Sequence, residues 1–185
     1  RGNQAEAMGL FDRALAANPG HVVARISCGN ALLTQDRALE ALADFDEALS
    51  LMTPFLAALN SRGGALRRLG RLDEALSSFD LALSIQPRSA MVHSNRGLVL
   101  REMGRLEDSL ASVNEAVRLQ PENASFAYNR AETLRELERF EDALAGYDSV
   151  LAAHPNYADG WIGRGLALID RKSTRLNSSH GYISY

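Results

Sequence analysis

Eighteen residues of this chain, GRLDEALSSFDLALSIQP at 70–87, return with edits as GRLEDSLASVNEAVRLQP at 104–121, 34 positions later. Self-similarity at a fixed period constrains a fold more than any composition figure, because every copy must take the same local structure and find the same neighbours. Pro87, Pro121 and Pro155 share that spacing, and Pro19 is in phase with them. Thr53 holds the slot in the remaining copy, with Pro54 one residue later. In this register repeats open at Val22, Leu56, Ala90, Ala124 and Ala158, and positions below are counted from those starts.

The columns are tight. Position 8 holds Gly29, Gly63, Gly97, Ala131 and Gly165, and position 11 is leucine throughout, from Leu32 to Leu168. Position 20 is Ala7, Ala41, Ala75, Ser109 and Ala143. Position 24 is Phe11, Phe45, Phe79, Val113 and Tyr147, and position 27 is Ala14, Ala48, Ala82, Ala116 and Val150. Positions 4, 7, 8 and 11 share one stripe of a first helix; positions 20, 24, 27 and 28 share one stripe of a second. Helices of about fourteen residues are marginal alone, so their stability must come from packing. Glycine inside a helix costs roughly 0.5–1 kcal/mol relative to alanine. Close approach of a partner helix at the alanine of position 20 or 27 is the expected compensation, and enlarging Gly97 or Ala116 is expected to overpack the contact. The proline follows the second helix, where the ladder has ended. Asp73-Glu74, Glu107-Asp108 and Glu141-Asp142 open the second helices, where the dipole favours negative charge, so they read as structural and not as catalytic carboxylates.

This pattern resembles the tetratricopeptide repeat, with a small residue at 8, Ala at 20, an aromatic at 24, Ala at 27 and Pro at 32. The resemblance covers residues 2–169 and implies an all-α, right-handed α-solenoid of antiparallel helix pairs. Residues 1–21 then supply a second helix only, 22–55, 56–89, 90–123 and 124–157 are whole repeats, and 158–169 supply a first helix only. Without polar capping repeats the chain is expected to be a piece of a longer protein. Two departures stand out: the family's aromatic at position 4 occurs only as Trp161, and its apolar position 7 is Arg in four of five repeats.

In similar proteins the first helices line a concave groove through positions 2, 5, 9 and 12, which implies a protein or peptide partner. Position 12 gives Arg67, Arg101 and Arg135, a row of guanidinium groups suited to carboxylates or phosphates, unless Glu102, Glu132 and Glu136 nearby neutralise it. Position 6 carries Asn95 and Asn129, and asparagines at this position resemble those of the superhelical arm of O-GlcNAc transferases; Ser27, Ser61 and Gly163 interrupt the ladder. An asparagine offers both donor and acceptor to a peptide backbone. Tyr128 and Asn60, at position 5, are further candidates. The family's carboxylate clamp for chaperone C-termini needs lysines that the repeats lack; only Asn30, Asn95 or Asn129 match it, so that mode is set aside.

Position 7 places Arg62, Arg96, Arg130 and Arg164 on a packing stripe, while position 25 holds Asp46, Asp80, Asn114 and Asp148. In an antiparallel hairpin these positions lie at the same height. Part-buried ion pairs are expected, and removing one partner is expected to cost several kcal/mol. Whether the acid comes from the preceding or the same hairpin stays open at this point.

No active site is legible. His21, His93 and His154 share no ligand spacing with one another or with Cys28, so no metal and no cofactor is expected, and Gly160, Gly163 and Gly165 fall within a helical repeat. The net charge of −3 argues against nucleic acid, and no apolar run is long enough to enter a membrane as a spanning helix. With Cys28 as the only cysteine, a reducing, cytoplasmic setting is the expectation, and Cys28 reads as a buried filler.

The end, DRKSTRLNSSHGYISY at 170–185, breaks with everything before it: Lys172 is the chain's only lysine and the apolar periodicity stops. DRKSTRLNSSH resembles, residue for residue, one reading frame of a widely used sequencing adapter, with Gly181 and Tyr182 as the index and Ile183, Ser184 and Tyr185 as constant sequence after it. The segment is therefore left out of functional reasoning, including its Asn177-Ser178-Ser179 sequon. Two readings of function follow. The first is an interaction scaffold that holds an extended segment of another protein. The second is the substrate-recruiting arm of an O-GlcNAc-transferase-like enzyme whose catalytic domain is missing. The arginine-rich composition suggests a GC-rich bacterial genome.

Overall fold

The computed structural model describes residues 2–52 and 55–180, with the side chains of 2, 3 and 175–180 excepted. Thr53, Pro54 and the index and constant residues 181–185 lie outside the described residues. The described residues form ten helices and no strand: α1 (Gly2–Ala17), α2 (Val22–Thr34), α3 (Ala38–Leu51), α4 (Leu56–Arg68), α5 (Leu72–Ile85), α6 (Ala90–Glu102), α7 (Leu106–Leu119), α8 (Ala124–Glu136), α9 (Phe140–Ala153) and α10 (Ala158–His180). The chain is an all-α solenoid of helix pairs. It divides into a first unit, residues 1–99, and a second, residues 100–185.

One device closes every turn from first to second helix. The residue at position 15 is left-handed: Asp36 (φ 61), Gly70 (φ 71), Gly104 (φ 73) and Glu138 (φ 59). Beyond it, the amides of Arg37, Arg71, Arg105 and Arg139 reach back to the carbonyls of Leu32, Leu66, Leu100 and Leu134 at 2.8–3.0 Å, satisfying helix-end acceptors. Glycine takes this conformation freely, whereas Asp36 and Glu138 take it at a cost of about 1–2 kcal/mol each. The same arginines then stand at the N-termini of the second helices and grip the first-turn acid three residues on. Arg71 holds Glu74 through two bonds of 2.7 Å, and Arg37, Arg105 and Arg139 hold Glu40, Asp108 and Asp142. The carboxyls of Glu40 and Glu74 sit below their usual range because of these bonds. The first helices α2 and α8 are capped by His21 Nδ1 and Asn123 Oδ1, each accepting from a first-turn amide.

In the first unit α2 to α4 pack in chain order, α4 packs on α5, and α2 also touches α4. The second unit repeats the scheme in α7 to α10, with α8 touching α10. The core is built on the expected stripe of the second helices: Phe45, Phe79 and Tyr147 at position 24 and Ala48, Ala82 and Ala116 at position 27 are fully buried, as are Ala75 and Ala143 at position 20. Position 8 departs from expectation in its partner. What approaches Gly29 and Gly63 is the aromatic of position 24 and not an alanine: a Cβ on either glycine would stand 2.6 Å from the ring of Phe45 or Phe79. The flat ring fits against bare backbone, and this contact offsets the cost of a helical glycine.

The first helices also bury a second stripe, one that the columns carry but that does not stand out by its period. Ala58 and Val92 at position 3 and Ala65, Val99, Thr133 and Ala167 at position 10 are all buried. A first helix is thus sandwiched on two faces. In α10 only this second stripe is covered, through Gly160, Gly163 and Ala167, while Gly165 at position 8 has nothing within 4 Å and Leu168 at position 11 is exposed. The helix also runs on to His180 where a turn recurs in earlier copies. Lys172 falls at position 15, and neither proline nor glycine interrupts residues 166–180, so nothing in the local sequence stops the ladder.

Candidate functional site

In the first unit the candidate residues Asn60 and Asn95 meet. Asn95 Nδ2 donates to Asn60 Oδ1 at 2.9 Å, joining position 6 of one first helix to position 5 of the previous one, and Asn60 Nδ2 lies 3.8 Å from Met91 Sδ at position 2. The amides are partly buried, and the bond fixes their orientation. Arg67 is half-buried on the same helix as Asn60, and its neighbour Arg68 donates through Nη1 to the Leu33 carbonyl at 2.6 Å, at the C-terminal end of α2.

In the second unit the arginines of position 12 are already matched. Arg101 Nε stands 3.5 Å from Glu136 Oε1, and Arg135 contacts Glu132 at 3.1 Å and Asp170 at 2.8 Å. Glu136 and Asp170 both occupy position 13 of the following first helix, so the row is built into an inter-repeat ladder. Arg101 Nη1 and Arg135 Nε are buried without a hydrogen-bond partner. Burial works against the charge of Arg135, and the bonds it donates to Glu132 and Asp170 more than offset it.

The centre of this cluster, named from the sequence only as an acid that could neutralise the arginine row, has a second role. Glu132, at position 9, is 8% exposed and accepts a hydrogen bond from the Tyr147 hydroxyl. Gly163 makes the room: a Cβ there would stand 2.6 Å from Tyr147 Cε1 and 2.8 Å from Glu132 Oε1. The signal was in the columns, since Tyr147 is the one tyrosine at position 24, and Gly163 the one glycine at position 6. Tyr128 packs its ring 6.0 Å from Tyr147 and 5.7 Å from Tyr157, so this groove candidate is held in an aromatic cluster. Burial, with Glu132 and Asp159 adding, pushes the Tyr128 hydroxyl up to about 12, and burial with the Glu132 bond raises Tyr147 as well. Asn129 is partly buried beside them, and its carbonyl accepts from Thr133 at 2.9 Å.

The arginines of position 7 find their partners in the preceding second helix. Arg62 meets Asp46 at 2.6 Å, Arg96 meets Asp80 at 2.7 Å and Arg164 meets Asp148 at 2.6 Å, while Arg130 donates to Asn114 at 2.8 Å. Arg62 also reaches Ser78 on the second helix of its own hairpin, at 2.7 Å. The acids are about half exposed, from 51% to 55%, so water screens these pairs and the several kcal/mol expected for their loss is too large. Cys28 takes position 7 in the first whole repeat; it is buried, and burial with a bond to Asp44 pushes its thiol up to about 12, which keeps it protonated. Among the described residues no three His, Cys, Asp or Glu side chains are placed to hold a metal, and no helix is long and apolar enough to cross a membrane.

Sequence models of the tetratricopeptide repeat match residues 54–122, 94–158 and 128–174. Solved structures agree. A thermophilic TPR protein from Thermus thermophilus, TTC0263, is 26% identical over 91% of this chain and 92% of its own, with a TM-score of 0.78. YrrB, described as a TPR protein with an unusual peptide-binding site, is 22% identical over 88% and 84%, with a TM-score of 0.69. A tetratricopeptide repeat protein from Parabacteroides merdae is 15% identical over 95% and 71%, with a TM-score of 0.79. No curated protein matches the chain.

Proposed function

This chain belongs to the tetratricopeptide repeat family of non-catalytic interaction scaffolds, and from that premise we propose that it holds an extended segment of a partner polypeptide on its first-helix face. The observation that carries this reading is the Asn95–Asn60 bond. It uses one donor and one acceptor and leaves the Asn95 oxygen and an N–H on each amide directed by a fixed partner, a donor and acceptor set that suits a peptide backbone whatever its side chains. The peptide-binding site described for YrrB, a protein of the same architecture, supports the reading. Asn129 and Tyr128 extend the same positions in the second unit. The arginines Arg67, Arg101 and Arg135 come second as ligand contacts, because Arg101 and Arg135 already face carboxylates that an anionic ligand would have to displace. We read residues 170–185 as foreign to the natural protein and residues 1–169 as part of a longer solenoid; on that reading Asp170 is not the native partner of Arg135.

The experiment is a binding titration with a peptide selected from a random library on the full chain. Asn95→Ala and Asn60→Ala are each expected to weaken binding roughly five- to tenfold, as losing a backbone-directed hydrogen bond does. Unchanged affinity in both variants overturns the reading.

A further inference from the structure

Position 4 of the first helix has one job in three repeats, carried out by three different side chains. Arg25 donates through Nε and Nη2 to the Pro19 carbonyl at 3.2 and 3.0 Å. His93 Nε2 lies 2.9 Å from the Pro87 carbonyl, and Trp161 Nε1 donates to the Pro155 carbonyl at 2.9 Å. Each is six residues beyond the repeat proline, and each is a planar N–H-bearing group laid over the turn between hairpins. Leu59 fills the slot in one other repeat and is buried. In the remaining repeat the residue is Ala127, which neither fills the slot nor donates to the Pro121 carbonyl. A cavity of about 310 Å³ stands there, walled by Pro121, Ala124, Ala127, Val150 and Ala153, with His154 beside it. It lies wholly within the second unit and uses none of the residues of the first-helix face.

We propose that this cavity is a docking site for a tryptophan side chain of a partner protein, which would take the place that Trp161 takes one repeat later. The chemistry of the walls chooses among the three internal occupants. Arg25 is matched by Asp44 at 3.6 Å and Glu47 at 2.5 Å on the second helix of its own hairpin. The corresponding residues here are Gly146 and Ser149, so a guanidinium would lose both carboxylates. Glu122, at the edge of the cavity, is exposed to solvent, and it is a single carboxylate where Arg25 has two. What remains is a mainly apolar wall, with Ser149 and His154 at its second-helix side and the Pro121 carbonyl as acceptor, a combination that an indole satisfies with its ring and its single N–H. The volume is at the small end of ligand pockets, which suits one side chain and not a larger molecule.

The test is a titration of N-acetyl-tryptophanamide into the full chain, followed by the methyl resonances of Ala127, Val150 and Ala153. Saturable shifts of these methyls are expected. N-acetyl-phenylalaninamide, which lacks the N–H, is expected to bind roughly five- to tenfold more weakly. Ala127→Trp is expected to fill the site from within and abolish the titration. Ala127→Leu, which copies the tolerated Leu59, is expected to abolish it too and serves where the larger residue disturbs folding. Absent shifts, shifts that persist in Ala127→Leu, or an equal response to N-acetyl-argininamide would overturn the proposal. Because no groove residue takes part, the outcome is independent of whether the first-helix face binds a peptide.

Discussion

Phe79→Ala is expected to destabilise the chain by about 3–5 kcal/mol, as loss of a fully buried phenylalanine does. The ring is the partner of Gly63 and lies where a Cβ would stand at 2.6 Å. Gly63→Ala alone is therefore expected to cost about 1–3 kcal/mol by overpacking, although alanine is the better helix former. The two substitutions should not add. With the ring gone, the added methyl enters free space, and Gly63→Ala in the Phe79→Ala background is expected to cost nothing or to stabilise. Urea denaturation of the wild type, both single variants and the double variant measures the coupling. Additive losses would mean that the ring and the glycine do not share a contact.

Glu132→Ala is expected to cost about 2–4 kcal/mol, because it leaves the Tyr147 hydroxyl without its acceptor inside the second unit and leaves Arg135 with Asp170 as its one remaining carboxylate. Glu132→Gln keeps an acceptor for the hydroxyl and is expected to cost less. Tyr147→Phe restores the residue used at the same position in Phe45 and Phe79 but leaves a buried carboxylate short of a donor, at about 1–3 kcal/mol. That order, alanine worst and the two conservative changes milder, is read from the same denaturation curves. A loss below about 1 kcal/mol for Glu132→Ala would show the network to be solvated and not structural.

Much of the fold was legible in the residues, and what was not has a physical cause. A 34-residue period with proline at its end gives helices, their order and their starts, and α2, α4, α6, α8 and α10 open at the five residues that open the repeats. Gly70 and Gly104 announce their left-handed turns; Asp36 and Glu138 take the same conformation without announcing it, because the turn is imposed by the helices on either side. Periodicity says which residues share a face and not which neighbour rises against that face. Hence position 24, and not 20 or 27, proved to be the partner of Gly29 and Gly63, and hence the preceding helix supplied the acids for Arg62, Arg96 and Arg164. The meeting of Asn60 with Asn95 depends on the offset between successive first helices, which no single column records. Glu132 was legible as a neighbour of the arginine row, but its bond to Tyr147 was not, because that needs three departures at once, a tyrosine at 24, a glycine at 6 and an acid at 9, each unremarkable alone.

One hairpin is copied along the chain, and each copy is stabilised by its neighbours. Excision of one full period, residues 56–89, tests that most directly, read by circular dichroism and urea denaturation beside a half-period excision of residues 56–72. The full-period variant is expected to keep its helical signal per residue and unfold cooperatively, since Phe55 then leads into Ala90 as it led into Leu56. The half-period variant, with first and second helices out of phase, is expected to lose cooperative unfolding. Equal behaviour of the two variants, folded or unfolded, would contradict the account.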